Sequence, residues 1–263
     1  MLRRRMKRRR KCSYIIIMNP RRSRTCRSIF FFYGHRVPAK GGESPISSSL
    51  ELFQRAREDI PDFIEEIAEK GILSKVTYKV EKQYEGGSTL AQAFGKEIQE
   101  GDDEGTRRAK IEQQIRRYGR GEHTKWEWTD DGKTLVLTHH LPAIRTQPNT
   151  NLPTFFTSLA AYYKSASGGR KNVTQQMYGD GTPIPEKYTK ALADITDDIR
   201  VLHKWERGDV LVYDNIIAQH GRQLWEGGQE DRVVLASLWD GIVPGQYQSS
   251  KSSWAEVVKA NEA

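Results

Sequence analysis

The most constraining feature of the sequence is residues 205–222. This segment holds a short apolar run between two turn signals, and a histidine and an arginine lie near its end. Gly208-Asp209 predicts a turn, and residues 210–213 predict a short buried strand because they are apolar and rich in β-branched side chains. Asp214-Asn215 is a second turn signal. Residues 233–238 have the same apolar character and predict another strand.

His220 follows the second turn, and Arg232 directly precedes the later strand. We therefore predict that two adjacent strands with a short connection present one histidine and one arginine together. Imidazole is a common metal ligand, and the planar guanidinium of arginine can bind both oxygens of a carboxylate. The alternative is structural: His220 as a hydrogen-bonded core or turn residue, and Arg232 as a surface ion-pair partner.

The rest of the chain alternates between short strand patterns and amphipathic helices. Helices are predicted around residues 50–56, 60–68, 88–98, 106–118 and 188–199, and residues 155–163 fit either a helix or a strand. Strands are predicted at residues 14–18, 29–33, 75–80, 125–128, 134–137 and 141–144, with loops at 37–46 and 179–185. We expect a mainly β protein with helical decoration, an antiparallel sandwich or barrel. Its helices would lie in the first half and in an insertion.

Composition narrows the functional class. The apolar runs are too short to span a bilayer, and two cysteines do not make a disulfide framework, which favours a reducing compartment. The net charge of +8 belongs to residues 1–11, which hold eight basic residues and no acid. We expect a cytoplasmic protein, or a nuclear one if this basic segment acts as an import signal.

Three segments are predicted. Residues 1–27 form a basic segment that is either a poorly ordered tail or sequence that is not native to the protein. Residues 28–243 form one domain, interrupted by a Gly-rich and charged insertion at residues 82–121. Residues 244–263 form a tail with one short helix around residues 254–260.

Several motifs resemble the iron(II)/2-oxoglutarate dioxygenases of the taurine catabolism family, and most closely their clavaminate-synthase-like branch. They are the Trp205-x-x-Gly208-Asp209 strand that runs on to Asp214-Asn215, the Phe30-Phe-Phe32 run, and Gly41-Gly-Glu-Ser44-Pro-Ile. The resemblance covers roughly residues 28–241. It implies a double-stranded β-helix, or jelly roll, and an enzyme that uses Fe(II) with 2-oxoglutarate as co-substrate to oxidise a small molecule.

The resemblance also implies the roles of three residues. His220 would be the last iron ligand, Arg232 would hold the distal carboxylate of 2-oxoglutarate, and the hydroxyl of Ser44 would contact the same carboxylate. Arg222 and Trp225 lie near enough in sequence to shape the mouth of the pocket.

One half of the family's metal motif is not recognisable. The family places a His-x-Asp or His-x-Glu pair about 25–30 residues before the serine of the Gly-Gly loop, where this chain reads Tyr14-Ile-Ile-Ile-Met18. Either the chain is a degenerate relative that keeps the fold, or its first residues are not the natural start. With one ligand of three, iron would bind weakly.

Three functions therefore remain open. The first is the dioxygenase, and the second is a non-catalytic protein of the same fold that lacks iron and binds a dicarboxylate. The third is nucleic-acid association through the basic segment, which the neutral remainder of the chain disfavours. The sequence does not specify the substrate or the oligomeric state.

Overall fold

The structure is a computed structural model. It describes residues 25–26, 29–81, 88–118, 123–146, 152–167, 174–239 and 245–246. Four sequence predictions lie outside the described residues: the basic segment 1–11, the strand at 14–18, the boundary near residue 27 and the helix around 254–260.

Within the described residues the chain forms fourteen strands and six α-helices. The helices are α1 (Ser49–Asp59), α2 (Pro61–Lys70), α3 (Leu90–Phe94), α4 (Glu104–Tyr118), α5 (Leu159–Ser167) and α6 (Glu186–Ile199). The strands are β1 (Thr25–Cys26), β2 (Ile29–Arg36), β3 (Ser44–Ser48), β4 (Ile72–Lys79), β5 (Thr124–Thr129), β6 (Thr134–Leu141), β7 (Ile144–Thr146), β8 (Pro153–Phe155), β9 (Thr174–Tyr178), β10 (Val201–His203), β11 (Val210–Asp214), β12 (Ala218–His220), β13 (Val233–Trp239) and β14 (Gly245–Gln246). The prediction of a mainly β protein with helices is confirmed. The expectation that the helices lie in the first half and in an insertion is wrong for α5 and α6, which lie in the second half of the chain.

Two three-stranded antiparallel sheets face each other, with strand orders β11-β2-β13 and β10-β3-β12. Side chains alternate along β2, so Phe30 and Phe32 share its inner face. Their ring centroids lie 5.7 and 5.0 Å from the ring of His220 on the opposite sheet. These ring contacts show that the inner faces of the two sheets pack against each other.

Four helices, α1, α2, α5 and α6, pack around the main hydrophobic core. Helix α2 begins with Pro61, which tolerates the first helical position because no backbone N–H is required there. It buries Phe63, Ile64 and Ile67 on one face and ends at Gly71, whose φ of 69° favours glycine. This core also takes in Leu192 of α6 and residues of β4, β6, β7, β8 and β9.

The predicted insertion packs on a separate four-stranded sheet with the order β5-β6-β4-β9. Helices α3 and α4 bury Leu90, Phe94, Ile111 and Ile115 against β6, which forms a second apolar cluster. The indole of Trp128 on β5 donates a hydrogen bond of 2.9 Å to Glu112 of α4. Residues of the insertion are therefore tied to the strands that follow them.

Three local predictions need correction. The loop predicted at residues 37–46 ends earlier, because Ser44 begins β3 and pairs with His203 of β10. The segment 155–163 divides into the end of β8 and the start of α5. The strand predicted at 141–144 is wrong: β6 ends at Leu141, and Ile144 begins β7, which pairs with β8 instead of β6.

Phe63 lies at the centre of the main core. It is fully buried, stacks on Tyr188 at 4.9 Å and contacts the rings of Phe155 and Tyr178. We expect Phe63→Ala to lower the free energy of unfolding by about 3–5 kcal/mol, since both apolar burial and packing are lost.

Urea denaturation followed by circular dichroism measures this change. The matched control is Val201→Ala, because Val201 is 69% exposed. Its effect should stay within about 0.5 kcal/mol. Equal losses for the two variants would contradict the proposed position of the core.

Candidate functional site

The Gly-Gly loop and the segment after His220 form one antiparallel ribbon. Backbone N–H groups donate from Gly42 to Leu224 O at 2.8 Å, from Gln223 to Glu43 O at 2.8 Å and from Gly221 to Pro45 O at 2.9 Å. This ribbon continues the pairing of β3 with β12 beyond the strand ends. It fixes the start of β3 beside the connection that leads to Arg232.

Arg232 is held against this ribbon by its own side chain. Its Nε donates a hydrogen bond of 2.7 Å to Gly42 O, and its Nη2 donates to the hydroxyl of Ser44 at 3.4 Å. Gly42 has a φ of +80°, and a Cβ at this position would lie 3.0 Å from Arg232 Cδ. Glycine is therefore needed both for the turn and for the approach of the arginine.

Ser44 is 7% exposed, and its hydroxyl has two donors around it. The indole Nε1 of Trp205, itself buried, donates to Ser44 Oγ at 2.9 Å, and Arg232 Nη2 is the second donor. A serine hydroxyl has two acceptor lone pairs and one proton. Because both lone pairs face donors, the proton of Ser44 is available to donate to a bound acceptor.

The charge around Arg232 is positive. Burial lowers the pKa of Arg232 to about 10, the nearby Arg222 adds to this lowering, and Glu43 opposes it. The guanidinium carbons of Arg222 and Arg232 lie 5.1 and 5.9 Å from the ring of Trp225. Arg232 remains protonated at neutral pH, so the site holds a partly buried cation that a bound anion would stabilise.

His220 lies at the end of β12, opposite Ile46 of β3. Ser44 and Ile46 are two residues apart on β3, so their side chains share one face of the strand. The ring of His220 is surrounded by the rings of Phe30, Phe32 and Tyr213. Burial lowers its pKa to about 4, and His220 is therefore neutral at pH 7.

The Nδ1 atom of His220 is hydrogen-bonded to the hydroxyl of Tyr213 on β11. Burial raises the pKa of Tyr213, which keeps this phenol protonated. When the imidazole proton is on Nδ1, His220 donates to Tyr213 and leaves Nε2 as the nitrogen for a metal. Tyr213 and Trp205 were not predicted as site residues, although strand alternation from Val210 would have placed Tyr213 on the opposite face from Val210 and Val212.

The prediction that two adjacent strands present His220 and Arg232 is wrong in one respect. β12 belongs to the β10-β3-β12 sheet, whereas β13, which follows Arg232, belongs to the β11-β2-β13 sheet. The connection between them crosses from one sheet to the other, because residues 221–226 pair with the Gly-Gly loop beyond the end of β3 before the chain reaches Arg232. The structure brings Ser44 and Arg232 into contact, and His220 lies further along the same ribbon.

The described residues do not supply an iron site. No group of three His, Cys, Asp or Glu side chains that could hold a metal occurs among them. Residues 1–28 contain no histidine and no carboxylate side chain. In such a site two histidines and one carboxylate occupy one face of the metal and leave the other positions open. His220 alone does not supply this ligand set.

Comparison with known proteins places the chain in a family. The family described as taurine catabolism dioxygenase TauD, TfdA family matches residues 23–239. The chain belongs to this family, and the resemblance found in the sequence is confirmed.

Two curated relatives are similar over most of this chain. A clavaminate synthase-like protein of Arabidopsis thaliana is 28% identical over 212 residues, which cover 80% of this chain and 60% of the relative. The dapdiamide synthesis protein DdaC of Enterobacter agglomerans is 25% identical over 227 residues, which cover 81% and 61%. The chain thus spans about 60% of the length of these relatives.

Among solved structures, the chain is similar to AAD-2 in complex with Mn(II) and N-oxalylglycine. The sequences are 13% identical, the TM-score is 0.44, and the match covers 90% of this chain and 70% of that chain. None of the described helices has the length and apolar character to cross a membrane.

The low pKa of His220 predicts acid sensitivity of the folded state. The pKa is about 4 when folded and near the ordinary value of 6.5 when unfolded. The unfolded chain therefore takes up the proton first, and the stabilisation is present above pH 6.5 and lost as pH falls toward 4. Through this residue, we expect the free energy of unfolding to fall by about 2 kcal/mol between pH 7 and pH 5.

Urea denaturation at both pH values measures this fall, with His220→Gln as the matched variant. The difference between the two proteins isolates the contribution of His220 from that of the other histidines. An equal pH dependence in both proteins would contradict a buried, neutral His220.

Proposed function

We propose that the protein is an iron(II)- and 2-oxoglutarate-dependent dioxygenase that acts on a small molecule, and that the described part of the chain supplies the binding site for the co-substrate. One observation carries the proposal. Ser44 and Arg232 are in contact, and each has a donor suited to a carboxylate. Family membership supplies the reaction class.

In this proposal the distal carboxylate of 2-oxoglutarate binds to the guanidinium of Arg232. The Nε of Arg232 is engaged by Gly42 O, so binding would use the terminal nitrogens. A charge-assisted pair of this kind is stronger than a neutral hydrogen bond. The proton of Ser44 would donate to the same carboxylate, because both its acceptor positions already face Trp205 and Arg232.

We also propose that the two facing sheets belong to a double-stranded β-helix. A jelly roll has eight strands in two sheets, and β2, β3, β10, β11, β12 and β13 would be six of them. Within the described residues, the edge strands are β11 and β13 in one sheet and β10 and β12 in the other. Each of the two strands that complete the fold would pair with one of these edges.

His220 is the residue proposed to contact iron. The cage of rings and the bond to Tyr213 would orient its imidazole. Two more ligands are needed, and in a dioxygenase they would have to come from polypeptide other than the described residues. Because the donor set is incomplete, no catalytic step through iron is derived.

The incomplete set of iron ligands favours a second function. A protein with the carboxylate-binding residues and one histidine would bind a dicarboxylate without metal and without catalysis. Arg232 and Ser44 have the same role in both candidate functions, so both predict binding of 2-oxoglutarate. Only the dioxygenase also predicts binding of iron.

An anaerobic titration of the chain with Fe(II) and 2-oxoglutarate tests the first candidate. A visible metal-to-ligand charge-transfer band that is lost in His220→Ala would support the dioxygenase. Binding of 2-oxoglutarate by calorimetry with no such band would reject the dioxygenase for this chain and leave the metal-free binding protein. Absence of both signals would reject both candidates.

The role of Arg232 predicts a large loss of affinity on substitution. We expect Arg232→Met to weaken binding of 2-oxoglutarate by about a hundredfold, since the charge-assisted contact to the distal carboxylate is lost. Ser44→Ala should weaken it by about tenfold, in line with the loss of one hydrogen bond. Isothermal titration calorimetry without metal measures both.

The matched control is Arg207→Met, which removes an exposed arginine from the turn before β11. Affinity should be unchanged in this variant. Circular dichroism at equal concentration verifies that each variant is folded. Unaltered affinity in folded Arg232→Met protein would show that 2-oxoglutarate binds elsewhere.

A further inference from the structure

Five large apolar side chains are exposed together on one surface of the β11-β2-β13 sheet. We call this surface the outer face. Its residues and exposed fractions are Phe31 (38%), Tyr33 (41%), Val210 (63%), Val212 (50%) and Leu235 (53%). Single exposed apolar residues are ordinary, but a contiguous group of this kind marks an interaction site.

The strand register shows that the group is contiguous. Tyr33 pairs with Val210 on one side and with Leu235 on the other, and Phe31 pairs with Val212. Directly opposed side chains in an antiparallel sheet have Cβ atoms about 5 Å apart. Phe30 and Phe32 point to the inner face, so the outer face is a second apolar surface of the same strands and not part of the candidate site.

The last described strand, β14, lies close to one end of this face. β14 pairs with β1, and β1 ends at Cys26, three residues before β2 begins at Ile29. Residues 247–263 follow β14. Trp254 is eight residues beyond Gln246, and eight extended residues reach up to about 27 Å. The Phe31 and Tyr33 positions are about 7 Å apart along the strand, so residues from 254 onward can reach the whole face.

The spacing of apolar residues in the segment after β14 matches what an apolar sheet surface can bind. Trp254, Val257 and Val258 recur at i, i+3 and i+4, with Glu256 and Lys259 between or beside them. This spacing predicts a helix with one apolar stripe and one charged side. A sheet with an apolar face is commonly covered by such a helix, since each then buries its apolar side on the other.

We propose that residues 254–260 form a helix that packs on the outer face of the chain's own β11-β2-β13 sheet, with Trp254, Val257 and Val258 against Phe31, Tyr33, Val212 and Leu235. The outer face is thus an intramolecular docking surface. Its occupancy would stabilise β2 and β11, which carry Phe30, Phe32 and Tyr213 on their inner faces. The inference does not depend on the proposed function.

The other apolar segment outside the described residues fits the outer face less well. Tyr14-Ile-Ile-Ile-Met18 is apolar in unbroken succession, a pattern typical of a strand that is buried on both sides. On the outer face, one side of that strand would remain exposed. A helix over residues 254–260 would instead bury its apolar stripe and present its charged side to solvent.

Disulfide trapping in the full chain tests the proposal. Val212→Cys and Val257→Cys are combined in a background with Cys12→Ser and Cys26→Ser, so that the introduced pair has no competing thiol. The control pair is Val201→Cys with Val257→Cys. Val201 is more accessible than Val212, at 69% against 50% exposure, but it lies on β10 in the other sheet, so its slower reaction could not be attributed to burial. Mild oxidation is followed by non-reducing electrophoresis and peptide mass analysis.

We expect an intramolecular disulfide between positions 212 and 257 that forms about tenfold faster than the control disulfide, because docking raises the local thiol concentration. Equal rates for both pairs would overturn the proposal, since they indicate an undocked segment. A predominantly intermolecular disulfide would also overturn it and assign the face to a second copy of the chain.

A second variant tests the docking without touching the sheet. Val257→Lys places a charge in the apolar stripe and should raise the fluorescence of a hydrophobic dye such as ANS by exposing the outer face. Glu256→Lys, on the charged side of the same helix, should leave the fluorescence unchanged. No rise with Val257→Lys would contradict the proposal.

Discussion

The hydroxyl of Ser44 is the contact on which the candidate site depends. It accepts hydrogen bonds from Trp205 and from Arg232, residues that are 161 and 188 positions away in the chain. The start of β3, the segment between β10 and β11 and the residue before β13 are thereby joined at one atom. Because the ribbon between the Gly-Gly loop and residues 221–226 holds the same parts together, the cation and the hydroxyl are in place before any ligand binds, which lowers the entropic cost of binding.

The neighbourhood of His220 has a different physical character. Three aromatic rings and a phenol hydroxyl surround the imidazole, so burial favours its neutral form. A neutral imidazole is the form that binds a metal. The site thus has a partly buried cation at Arg232 and a neutral ring at His220, and these are the two groups that the proposed function assigns to the distal carboxylate and to the metal.

Sequence periodicity predicted most helices and strands, since α2, α6 and β2 have clear apolar spacing and clear ends. Sequence alone also proposed Ser44 and Arg232 as site residues, through the resemblance to a family motif and not through periodicity, and their roles stay predictions. It could not predict the partners of these residues. The contact of Trp205 with Ser44 joins distant positions, and the division of β12 and β13 between two sheets follows from the path of the ribbon, which no local pattern encodes. Short segments such as β7 and β8 were missed or misassigned because three residues are too few to show a period.

The central claim is that Arg232 and Ser44 recognise the distal carboxylate of a dicarboxylate without help from a metal. Its most direct test is to compare, in metal-free buffer, the affinities of the chain for glutarate, which has two carboxylates and no keto group, and for 2-oxobutyrate, which has a keto acid and no distal carboxylate. The account predicts that glutarate binds at least about tenfold more tightly, in line with one charge-assisted contact. Equal affinities, or tighter binding of 2-oxobutyrate, would contradict it.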